Sequence, residues 1–222
     1  MTLTELIAQF RTDSDDAVVP YFASDANVTA WLNEAEQEAA IRARLINDFS
    51  TPAVCQIAVT APTTVYDLHA SILDITRAAF TPTGSTTEND VAIVDRVDHD
   101  RNYPGWRTTT DIPRQAIQSD TQLQLGCIPS SDGVLTLEVN RLPLLNIEDT
   151  LNESPSIGAV HHRHLVQWAL HKHYARPDAD THDPGRSDRA LAEFTRVFGL
   201  RPDADYRRAT QVNRQNHNKA IW

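Results

Sequence analysis

The chain has 222 residues, 41% of them hydrophobic and 23% charged, with a formal net charge of −10. That length allows one large domain or two small ones around a real core. The acidic balance argues against ordinary nucleic-acid binding, which relies on Lys and Arg to neutralise phosphates, and no apolar run approaches the ~20 residues of a membrane helix.

The first fifty residues read as helical. MTLTELIAQFRTDSDD lacks the basic and apolar regions of a secretory signal. Thr2 and Glu5 have capping-box spacing, and Leu3, Leu6, Ile7 and Phe10 recur at helical intervals. Pro20, followed by Tyr21 and Phe22, breaks that run. Ser24 or Asp25 then caps a longer helix with an apolar side of Val28, Trp31, Leu32, Ala35, Ala39, Leu45 and Ile46, from which Glu34, Glu36 and Glu38 point away.

From Thr51 the period falls to two. Cys55, Ile57 and Val59 alternate as a strand does; Pro62 marks a turn before a second strand at Val65, Tyr66 and Leu68, and a third spans Ile72 to Phe80. The run TPTGSTTEND, Thr81 to Asp90, is turn chemistry and reads as an exposed loop tip. Val91 to Asn102 fits either strand or helix. A hairpin is expected where Leu123 and Leu125 alternate, Ser130-Ser131-Asp132-Gly133 turns, and Val134 to Arg141 alternates again. Cys55 and Cys127, too few for a disulfide scaffold, read as free buried thiols in strand-like segments, consistent with a reducing cytoplasm.

Helical pattern returns at Val160 to Tyr174, with Leu165, Trp168 and Ala169 on one side and Val166, Leu170 and Tyr174 beside them. A loop at Pro177, Pro184 and Gly185 precedes a helix beginning at Ser187 or Asp188, burying Leu191, Phe194, Val197 and Phe198 and stopped by Gly199. The expected fold class is α+β: a helical bundle formed by the N- and C-terminal helices (1–50 and 145–200), an inserted small antiparallel β module (51–144) and an extended C-terminal arm (201–222).

That last stretch, RPDADYRRATQVNRQNHNKAIW, has no apolar stripe and no strand alternation. It carries a net charge of +3, so the rest of the chain carries −13. A polar arm of opposite sign to its body cannot pack a core of its own and suits lying along another surface. Fully extended, its 22 residues reach ~70 Å, at about 3.3 Å each. Trp222 reads as docking into another subunit, a frayed terminus being the alternative.

Few residue groups suggest chemistry. His161, His162, His164, His171 and His173 cluster in sequence, but a helical metal pair needs i and i+4 spacing, and the residues four after His161, His164 and His171 are Leu165, Trp168 and Ala175. Helix-surface histidines or a subunit contact, some near Asp178 and Asp180, are the better reading. No GxSxG, phosphate loop or dinucleotide fingerprint occurs. Trp31 and Trp168 lie on apolar helix faces and read as core. Trp106, in NYPGW, serves either as a partner contact or as a cap on the β module. The nine acidic against three basic residues in the first fifty read as a solvated surface; a wall past which DNA slides without sticking would also be acidic.

In order, DANVTAWLNEAEQEAAIRA, VYDLHASILDI, IPRQAIQSDTQLQLGCIPSSDGVLTLEVNRLPL, HHRHLVQWALHKHY and RALAEFTRVFG resemble the head-to-tail adaptor (connector or head-completion) proteins of tailed bacteriophages. Residues 81–111 match least. The resemblance implies a structural virion protein without catalytic residues or cofactors. It implies a ring, usually of twelve copies, beneath the portal at the neck. Such a ring forms after synthesis in the host cytoplasm, extends the DNA channel after packaging, and gives the tail or nozzle proteins a platform. DNA would pass without sequence-specific binding, and no membrane is involved. The arm would hold the portal through Tyr206, Arg207, Arg208, Arg214, Lys219 and Trp222. Two other classes remain: a metal-dependent or cell-wall hydrolase built around the histidines, and another ring component such as a stopper or tail-end protein.

Overall fold

A computed structural model describes residues 1–148, 153–177 and 180–203. The arm residues Tyr206, Arg207, Arg208, Arg214, Lys219 and Trp222 lie outside the described residues, as does Asp178. Packing divides the chain into two compact units, one of Met1–Ile46 with Leu142–Pro202 and one spanning Asn47–Arg141.

Helix α1 (Leu3–Ser14) begins with the expected capping box: the Thr2 hydroxyl accepts the Glu5 N–H at 3.3 Å, and the Glu5 carboxylate accepts the Thr2 N–H at 3.0 Å. It buries Leu3, Leu6 and Phe10. Helix α2 (Asp25–Ala43) is capped by Ser24, whose hydroxyl accepts from Asn27 N–H, and buries Val28, Leu32, Ala35 and Ala39. Two carboxylates depart from the sequence reading. Glu36 and Glu38 are buried, at 1% and 7% exposure, because each has partners that replace water. Glu36 accepts the N–H groups of Ser156 and Ile157, while Glu38 pairs with Arg42 and Arg201.

In the second unit the strands are β1 (Asn47–Asp48), β2 (Gln56–Val59), β3 (Val65–Asp67), β4 (Ile72–Pro82), β5 (Asn89–Ile93), β6 (Thr110–Asp111), β7 (Gln115–Gln118), β8 (Gln122–Leu125), β9 (Ile128–Pro129) and β10 (Gly133–Arg141). Eight form one sheet in the order β1-β10-β4-β5-β7-β8-β3, with β2 beside β1 on the same edge of β10. Most pairs are antiparallel, but β5–β7 and β6–β9 are parallel, so the module is mixed rather than antiparallel throughout. Its core joins Phe80, Ile93, Leu123, Leu125, Leu135 and Leu137.

The expected hairpin does not form. Strand β8 pairs with β3 and β7, while β10 pairs with β4, β2 and β1. Between them the chain leaves the sheet at Gly126 so that β9 pairs with β6. Gly133 is therefore needed for close packing rather than for a turn. A Cβ there would strike the Thr81 carbonyl oxygen and come within 2.6 Å of the Phe80 ring, closer than any side chain permits. Cys55 closes a helical turn, α3 (Pro52–Cys55), initiated by Pro52 at its first position, and Cys127 lies between β8 and β9. Both thiols are buried and free, though neither is in a strand. Val91–Asn102 divides into the end of β5 and helix α4 (Arg96–Asn102), whose Asp95 cap accepts from Val97 and Asp98 N–H.

The first unit closes with α5 (His162–Tyr174) and α6 (Pro184–Phe198). Helix α6 starts earlier than expected, because Asp183 accepts the Arg186 N–H and Pro184 fits the first helical position. Gly199 ends it at φ 81. Helix α5 packs against α6, α2 and α1, burying Leu165, Val166, Ala169, Phe194 and Phe198 in one core with Leu6, Phe10 and Leu32.

Candidate interaction surfaces

Between α1 and α2 an apolar loop is held out by buried charges. Arg11, 7% exposed, donates to Asp16 at 2.5 Å and to Asp25 at 2.6 Å. The Asp16 carboxylate, itself buried, accepts the N–H groups of Phe22 (2.9 Å) and Ala23 (3.1 Å), and the Tyr21 ring lies 3.9 Å from the Arg11 guanidinium carbon. The loop is thus fixed at both ends while its apolar side chains face water: Val18 is 80% exposed, Val19 72% and Phe22 59%. Exposed apolar groups on a fixed loop suit contact with another protein, since the ordering cost of binding has already been met. The sequence reading took Pro20-Tyr21-Phe22 only as a helix break. The missed signal was Arg11 on the buried side of α1, five residues before an aspartate that could hold it.

The histidines do not assemble. His161 and His164 flank Phe198, His171 Nδ1 lies 2.9 Å from the Ser187 hydroxyl, and His162 Nε2 donates to the Ile157 carbonyl at 2.9 Å. His162 and His173 are buried rather than on the helix surface. Both His173 nitrogens lack partners among Phe10, Trp31 and Tyr174, and burial pushes its pKa below the usual imidazole value. Among the described residues no group of three or more His, Cys, Asp or Glu side chains converges as metal ligands. Burial likewise raises the Cys55 and Cys127 thiols, which keeps them protonated and poor nucleophiles.

In the β unit, Trp106 is 4% exposed and donates its indole N–H to Asp100 at 2.8 Å. Arg107 doubly bonds the same carboxylate and lies 4.3 Å over the indole. Those contacts fix Trp106 as a cap on the module, one of its two sequence-level readings. Beside it opens a cavity of about 460 Å³. Across the neighbouring strands β10, β4 and β5 lies a charge cluster in which Arg77 pairs with Glu88, Asp90 and Glu138, one cation among three exposed acids.

The chain resembles no curated protein closely enough to match. Its sequence does match the family model for the SU10 adaptor protein over residues 1–216. That match runs through both units and into the arm, and the chain accordingly belongs to the SU10 adaptor protein family, a family of phage head-to-tail adaptors.

Proposed function

We propose that this protein is a structural adaptor that joins the phage portal to the tail as a ring, usually of twelve copies, and extends the DNA channel once packaging is complete. The family match over nearly the whole chain carries this reading. The fixed apolar loop at Val18–Phe22 supports it, since the body then offers a protein-contact surface independent of the arm. In this reading the arm from Arg201 to Trp222 anchors the subunit on the portal. Ordering it costs roughly 1–2 kcal/mol of backbone entropy per residue, an expense that many docked copies in a ring offset through raised effective concentration. The body is acidic, at −13 outside the arm, so carboxylates facing the channel would repel DNA and let it slide.

The test is a chain ending at Leu200, mixed with purified portal and followed by electron microscopy and sedimentation. It should fold as the full protein does yet fail to join portals. Joining with undiminished affinity would remove the arm as anchor. A ring with a basic bore would remove the acidic channel.

A further inference from the structure

The root of the arm is clasped to the helical unit by a buried ion pair, and this inference rests on the arm reading above. Glu38 and Arg42 lie one turn apart on α2 and pair at 2.8 Å, with side chains 9% and 8% exposed. The Arg42 guanidinium packs over the Trp168 and Phe194 rings, 5.4 and 5.2 Å from their centroids. Its Nε donates to Glu38, while Nη1 donates to the Thr195 hydroxyl at 3.0 Å and to the Gly199 carbonyl at 3.2 Å. Gly199 is the residue at which α6 stops. The other Glu38 oxygen lies 3.5 Å from Arg201 Nη1. Both neighbours of Leu200 are therefore tied to α2, one through its carbonyl and one through its side chain. Leu200 itself is 81% exposed, so burial of its side chain does not hold this turn.

We propose that Glu38 and Arg42 are positioning residues for the arm: they fix the point and direction at which it leaves the helical unit. A guanidinium suits this task, because its rigid fork donates to a carboxylate through one nitrogen and to a carbonyl and a hydroxyl through another. A lysine ammonium on a flexible stem keeps the charge but not that fork. With its root already ordered in the free protein, the arm has fewer residues left to immobilise when it docks.

The test is backbone amide NMR relaxation on the full-length protein, read beside portal joining. In the wild type the Leu200 and Arg201 amides should be as ordered as those of α6. Arg42→Lys should loosen both and weaken portal joining about tenfold, the cost of ordering about one more residue at docking. Arg201→Gln should loosen Arg201 alone, and Arg201→Lys should restore its order, since an ammonium still meets Glu38. The Arg201 side chain is more than half exposed, so these two variants carry the test should Arg42→Lys fail to fold. Loose amides in the wild type, or unchanged order in both Arg42→Lys and Arg201→Gln, would overturn the proposal. The two possible failures separate at the portal. Undiminished joining by the chain ending at Leu200 overturns the arm reading and this inference with it. If that chain fails while Arg42→Lys joins with wild-type affinity, this inference alone is overturned.

Discussion

Arg141 donates to Asp48 across the opening and closing strands of the β unit, Nε to Oδ2 at 2.6 Å, with the two side chains 14% and 4% exposed. The same aspartate accepts the N–H groups of Ser50 and Thr51 at 3.0 Å. Residues 93 apart in sequence thereby fix where the chain enters and leaves the sheet.

Asp48→Ala should therefore destabilise the β unit by about 1.5–3 kcal/mol or more, because it removes the one charged acceptor shared by Ser50, Thr51 and Arg141. Burial opposes ionisation of Asp48, but the Thr51 hydroxyl, the two backbone donors and Arg141 outweigh it and hold its pKa well below the usual carboxylate value. A depressed folded pKa gives stability that is full above the ordinary value near 3.8 and is lost as pH falls below it. Chemical denaturation between pH 7 and 3 should show that loss in wild type and a much smaller one in Asp48→Ala.

His173 makes the opposite contribution. Burial among Phe10, Trp31 and Tyr174 lowers its pKa, Asp16 partly opposes this, and Arg176 and Arg11 add to it. The unfolded chain thus takes up a proton first as pH falls below 6.5, so stability of the helical unit declines there and is flat above it. His173→Leu should remove that slope, as read from melting temperatures at pH 7.5 and 5.5.

Gly133→Ala should disrupt the β10–β4 pair, since the new methyl meets the Thr81 carbonyl and the Phe80 ring. Overpacking of that kind costs about 1–3 kcal/mol. Hydrogen exchange should quicken at Leu135 and Phe80, which face each other across that pair.

Val19→Asp with Phe22→Ser should leave the melting temperature nearly unchanged, because both side chains are exposed and surface changes usually fall within about 0.5 kcal/mol. Ring assembly on the portal should nonetheless fall, measured by co-sedimentation beside the wild type. Unaltered assembly would show that Val18–Phe22 is not a contact. If the wild type also fails to co-sediment, the adaptor reading itself fails.

Glu36→Ala should free the segment around Ser156 and Ile157, whose N–H groups it accepts. The buried Ile157 donor left unmatched costs about 1–3 kcal/mol. Exchange protection should be lost at those two amides before the rest of the helical unit.

Local chemistry was legible in the sequence. The Thr2–Glu5 box, the Ser24 cap, the apolar stripes of α2 and α5 and the Gly199 stop all depend on neighbours within a turn, so the residues alone determined them. Strand partners were not legible. Alternation says which side chains turn inward, but Leu125 and Leu135 alternate equally well whether they pair with each other or with β7 and β4. Only the tertiary structure decided that β10 chose β4, with Gly133 making room for Phe80. Glu36 and Arg11 show the same limit: burying a charge is unfavourable until a distant partner replaces its water, and here those partners are the backbone at Ser156 and the carboxylates of Asp16 and Asp25. Sequence set the charge, the long helices α1, α2 and α5 and the Gly199 stop; packing across long separations selected the strand pairings, the buried ions and the loop that faces outward.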